Sequence, residues 1–191
     1  MTLKHPCILL LLLVFLAACS RQEAETPGDE TAGSGYFSIR QFAADQFDTH
    51  RGMPFVIEKQ VVLNGRKDSA TINSYNADWE PLLTSFFSAD ISSGKFADQY
   101  DVSLFDDGAG ARVLYYTAKQ DKLFTRVLQV RVDAATNRIL SLYAETATSS
   151  FWNKTSRKLY YAPMKLIQIQ EFSKPLIGKK RELRIEYRFM L

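Results

Sequence analysis

Apolar positions near the start of the folded part recur with a helical period. Ile39, Phe42, Ala43 and Phe47 are spaced by three or four residues, which predicts an amphipathic helix from Tyr36 to about Asp48, stopped by His50-Arg51-Gly52. Pro54 then opens the β-rich run 55–63, and after Asn64-Gly65 a polar, alternating stretch continues to Ile72. An Asn-Gly pair between two such runs predicts a hairpin, because both residues accept the left-handed backbone that a tight turn requires. Asp78 precedes Trp79, Leu82, Leu83, Phe86 and Phe87 and can cap a second helix. Pro81 falls inside its first turn, and Ser92-Ser93-Gly94 is expected to end it.

From there the period changes to two. Residues 102–105, 112–118, 124–133 and 138–146 read as strands separated by turn-rich segments. Phe124, Leu128, Val130 and Val132 are expected on one face, as are Leu183, Ile185, Tyr187, Phe189 and Leu191. Arg184, Glu186 and Arg188 point the other way on the last strand, as in an antiparallel sheet covered on one side only. The fold class predicted is α+β: a curved antiparallel meander of about six to eight strands, with the two helices packed on its concave face. Residues 36–191 are expected to form one domain, without internal repeats.

The N-terminal end follows neither period. Lys4 precedes an apolar run with five consecutive leucines, and small residues close it, the plan of a secretory signal over residues 1–18. The run is too short to cross a bilayer, which takes roughly 20 apolar residues. Leu16-Ala17-Ala18-Cys19 resembles the lipobox of bacterial lipoproteins. The resemblance implies cleavage before Cys19, a diacylglycerol on its sulfur and an acylated amine, and hence a chain anchored to a membrane by its N-terminal lipid. Residues 19–35 read as an acidic, flexible tether, rich in Gly, Thr and Pro, with Arg21 set against Glu23, Glu25, Asp29 and Glu30.

Composition narrows the chemistry. With 46% hydrophobic and 13% aromatic residues the chain is that of a folded globular protein. Cys7 leaves with the signal, so Cys19 is the only mature cysteine. An internal disulfide is impossible, and acylation removes the thiolate that a nucleophile or zinc site would need. His5 also leaves, and His50 alone, at a helix end, supports neither a triad nor a metal site. The net charge of +3 conceals a basic C-terminal quarter, where ten Lys and Arg face three Glu after residue 150. This reads as the polar face of a half-buried sheet, or as attraction to an anionic partner.

Asp98, Asp101, Asp106 and Asp107 are the densest acidic cluster, yet Asp106-Asp107-Gly108 has the chemistry of a turn and lacks calcium-loop spacing. Gly108-Ala109-Gly110 precedes a strand and is too short for a phosphate cradle. No catalytic residue, metal or cofactor is assigned, and no nucleic-acid partner. The aromatic supply is larger, and Tyr115, Tyr143, Trp152 and Tyr160 are the candidates for lining a ligand groove on a curved sheet.

Tyr36-Phe37-Ser38-Ile39, the run from Glu58 to Gly65, Asp78-Trp79-Glu80 through Phe86, and Ala89-Asp90-Ile91 resemble uncharacterised envelope lipoproteins of Bacteroidota over about a third of the chain. The resemblance implies an envelope location, in the outer membrane or at its surface, and no catalytic residue. Asp68-Ser69-Ala70 resembles the O-glycosylation acceptor triplet of that group, with Ser69 the acceptor. The functional expectation is a non-enzymatic binding or assembly module for an envelope protein, lipid or glycan. Two alternatives are a carrier of lipid or lipoprotein using a concave apolar face, and a carboxylate-based glycan hydrolase.

Overall fold

Local chemistry sets both helix starts. In the computed structural model, which describes residues 34–190, the Ser38 hydroxyl accepts from Gln41 N at 3.2 Å and caps α1, Ile39–His50. The helix thus begins after Tyr36 and Phe37, whose rings pack over the sheet. Tyr36 stands edge-on to Tyr100 and Tyr116, at 5.8 and 5.6 Å. Asp78 caps α2, Trp79–Ser88, by accepting from Glu80 N at 3.1 Å. A single carboxylate joins the two helices: Asp90 accepts from Arg40 N and Ser92 N, both at 2.8 Å. A negative charge at the α1 N-terminus is also where the helix dipole favours it.

The predicted hairpin forms as β1, Val56–Leu63, and β2, Arg66–Asn73. Asn64 and Gly65 both take left-handed backbone, with φ of 50° and 85°. The remaining strands are β3 Tyr100–Asp106, β4 Ala111–Ala118, β5 Thr125–Asp133, β6 Ile139–Ser149, β7 Asn153–Ala162, β8 Leu166–Pro175 and β9 Arg181–Met190. All pairings are antiparallel, and the spatial order is β2-β1-β9-β8-β7-β6-β5-β4-β3. The fold is α+β with one curved sheet, and its nine strands exceed the six to eight expected. The strands not anticipated are β7 and β8; the first half of β7, Asn153 to Lys158, is polar throughout and offers no apolar alternation, although its burial alternates.

From β3 to β9 the chain is an uninterrupted meander, and the first hairpin closes onto its end. Val56 pairs Met190 and Leu63 pairs Leu183, so the last strand lies between β8 and β1.

Both helices lie on one face. Ile39, Phe42 and Ala43 of α1 and Trp79, Leu82, Leu83 and Phe86 of α2 share a core with Leu128, Val130, Leu142, Leu159, Ile167 and Phe189. Trp79 stacks on Phe189 at 5.7 Å, and Phe86 meets the Tyr161 ring edge-on at 6.0 Å. Each large side chain so buried contributes about 1.5–3 kcal/mol. Phe124 does not share the Leu128 face as expected. A register shift between Thr125 and Val127 changes the phase, and Thr125 turns inward instead. There its hydroxyl donates to Ala89 O at 3.1 Å while Tyr100 Oη donates to Thr125 O at 2.9 Å, sealing the end of α2 to the sheet.

The signal segment, Cys19 and the lipobox, the tether up to Gly33, and Leu191 lie outside the described residues. Ser34, expected in the tether, is already fixed to the domain, its N–H donating to Ser92 O at 2.8 Å and its hydroxyl to Ile91 O at 2.9 Å.

Candidate functional site: the uncovered face of the sheet

Antiparallel pairing aligns directly opposite residues on the same face, about 4.5–5.5 Å apart at Cβ. Tyr115 pairs Gln129, Gln129 pairs Tyr143, and Tyr143 pairs Tyr160. The same row runs on through Gln168, Glu186 and Gln60 to Ser69, and outward from Tyr115 to Ser103. It crosses every strand of the sheet, over about 38 Å at the usual strand spacing, on the face away from the helices. Three tyrosines, three glutamines, two serines and one glutamate make it up, so each position offers a hydrogen-bonding group and three offer a flat ring. All but the two edge serines are half-buried, which limits the side-chain entropy a ligand would have to freeze.

Several members are already fixed. Tyr143 Oη donates to the Glu145 carboxylate, and burial followed by that hydrogen bond pushes its hydroxyl pKa well up. Glu186 accepts from Arg188 Nε at 2.6 Å and from Gln168 Nε2 at 3.3 Å. At the β2 end the face dips into a polar groove of about 360 Å³ lined by Glu58, Gln60, Ser69, Thr71, Glu186 and Arg188. Glu58 stands opposite Arg188, and Glu186 opposite Gln60, so the two carboxylates are diagonal neighbours. Both oxygens of Glu186 are engaged by donors, which fixes the carboxylate on the sheet face.

Tyr115, Tyr143 and Tyr160 are thus brought together, but on the uncovered face and not between helices and sheet. Trp152 is not with them: it sits in the β6–β7 turn, 67% exposed. The space under the helices holds Tyr116 and Tyr161, both core residues. Ser69 is exposed on β2 at the groove rim. Sequence reading missed Gln60, Gln129, Gln168 and Glu186. Their signal was parity, as in Gln168 between buried Ile167 and Ile169.

The other candidates have structural partners. His50 Nδ1 lies 2.8 Å from Gln46 O in the last turn of α1. Asp107 accepts from Ala109 N at 2.8 Å, Ala111 N at 3.0 Å and Arg131 Nε at 2.7 Å. The two backbone donors and then Arg131 hold its carboxyl below the usual range, as befits a turn clasp. Among the described residues no group of three His, Cys, Asp or Glu is placed to hold a metal, and no helix is long and apolar enough to cross a membrane. Comparison with protein-family models, curated proteins and solved structures finds no match to this chain.

Proposed function

We propose that the chain is an envelope lipoprotein, held to the bacterial outer membrane by lipid on Cys19, whose uncovered sheet face is a non-enzymatic binding surface. The observation that carries the reading is the row of tyrosine, glutamine, glutamate and serine side chains that crosses all nine strands. Three half-buried tyrosines in register set flat rings beside amides and hydroxyls, which suits a polyhydroxylated ligand, an envelope glycan above all. Lipid carriage is less well supported, because the helix-covered face it would use is occupied by the core.

Two measurements test this. Purified protein titrated with cell-wall and lipopolysaccharide-derived glycans should bind one class, and Tyr143→Ala with Tyr160→Ala should weaken that binding at least tenfold. Undiminished binding would move the site elsewhere, and glycan hydrolysis lost on Glu186→Gln would replace the reading with an enzymatic one. Cys19→Ser should release the protein from the membrane fraction; continued retention would overturn the anchor.

A further inference from the structure

Antiparallel strands place the β6–β7 and β8–β9 turns at one end of the sheet. Phe151 and Trp152 in the first turn are 77% and 67% exposed, and Leu176 and Ile177 in the second are 59% and 83% exposed. The turns abut, with Leu176 N donating to Trp152 O at 2.8 Å, so the four side chains form one apolar tip. Phe151 and Trp152 meet edge-on at 5.0 Å, packing on each other at the tip. Scattered exposed apolar residues need no explanation, but a contiguous patch with a basic rim does.

Five basic residues flank the tip. Lys154 stands directly opposite Lys174, a like-charge pairing that costs stability unless an anion lies between. Lys179 and Lys180 follow Ile177 in the same turn, and Arg181 opens β9. No ion pair among the described residues involves any of these five. Trp beside Lys at an exposed tip is the chemistry of a membrane interface, where the indole sits at headgroup level and cations meet lipid phosphate.

The entry of the chain points the same way. Tyr36 Oη donates at 3.3 Å to the carbonyl of Tyr100, the first residue of β3, which starts at this same end of the sheet. From there to the turns is about 17–26 Å at the usual strand spacing. The fifteen residues from Cys19 to Gly33 reach up to about 50 Å when extended, so a lipid on Cys19 and the tip can touch one bilayer together.

We infer that the Phe151–Trp152 and Leu176–Ile177 turns seat on an anionic phospholipid surface, standing the domain upright on the membrane that holds its lipid. The argument from chain entry rests on the anchor reading, whereas the tip and its rim do not. In the full processed chain, Trp152 is the exposed indole and Trp79 the buried one, and a Trp152→Phe variant supplies the Trp79 background. Protein reconstituted in phosphatidylglycerol-containing vesicles should show blue-shifted Trp152 emission, quenched at least twofold by bromine-labelled acyl chains. Lys179→Glu with Lys180→Glu should abolish most of that quenching while circular dichroism stays unchanged. Emission identical with brominated and plain lipid overturns the tip contact and leaves the anchor standing. Should the processed chain prove unlipidated, adding it to preformed vesicles leaves the same quenching readout, so the two readings fail separately.

Discussion

Tyr161 is 1% exposed, its ring sits between Phe42 and Phe86, and its hydroxyl has no hydrogen-bond partner. An unpartnered buried hydroxyl costs about 1–3 kcal/mol, and the same burial drives its pKa well up. Tyr161→Phe keeps the ring and removes the cost, so it should stabilise the domain by about 1 kcal/mol, raising the thermal midpoint by roughly 2–6 °C. A fall in the midpoint would mean that the hydroxyl makes a bond that matters. Tyr100 differs, since its hydroxyl donates to Thr125 O and burial, only partly offset by that bond, pushes its pKa up to about 12 from 10.0. The folded state therefore holds this proton longer than the unfolded chain does. Its contribution is whole below pH 10.0 and is lost as the pH climbs toward about 12. Urea unfolding across that window should show stability falling, with Tyr100→Phe flattening the fall at a cost of about 1 kcal/mol near neutrality. An alkaline limb of the same slope in the variant would assign the effect to other tyrosines.

The elements legible in the sequence are those fixed by short-range chemistry. Asp78 ahead of an apolar helical period, and Asn64-Gly65 between two β-rich runs, appear in the structure as a cap and a left-handed turn. A Cβ on Gly65 would meet open space, but its φ is 85°. Gly65→Ala should therefore cost about 1–2 kcal/mol through backbone strain alone, read as a lower urea midpoint with an unchanged slope; no loss would mean the turn relaxes. β7 was hidden for a different reason. Its first half has no apolar face, and Arg157 there pairs with Glu171 at 2.6 Å across to β8. The tyrosine and glutamine row was legible only as parity. Which tyrosine lies opposite which glutamine depends on turn lengths and on the register shifts in β5, between Thr125 and Val127 and between Arg131 and Val132. Those follow from the packing of the whole sheet and carry no local signature.

At the scale of the molecule the last strand to be made is an interior one. β9 pairs with β8 on one side and with β1 on the other, and the pairing of Leu63 with Leu183 spans most of the domain. Tyr187 and Phe189 carry its core face, with Phe189 holding the Trp79 stack that fixes α2. Until β9 arrives, β1 and β8 are unpaired edges and α2 lacks part of its seat, so the earlier elements cannot complete a core. Long-range closure of this kind is slow, and refolding of the intact chain should take milliseconds to seconds. A chain ending at Lys180 keeps both helix caps and the Asn64-Gly65 residues of the first hairpin but loses both β9 ladders and the Phe189 contact. It should lack a cooperative thermal transition and associate through its two open edges. Sedimentation and calorimetry of that truncation decide the matter: a soluble monomer with a sharp transition would mean that β3 to β8 and the helices close a core without the strand that joins them to the hairpin.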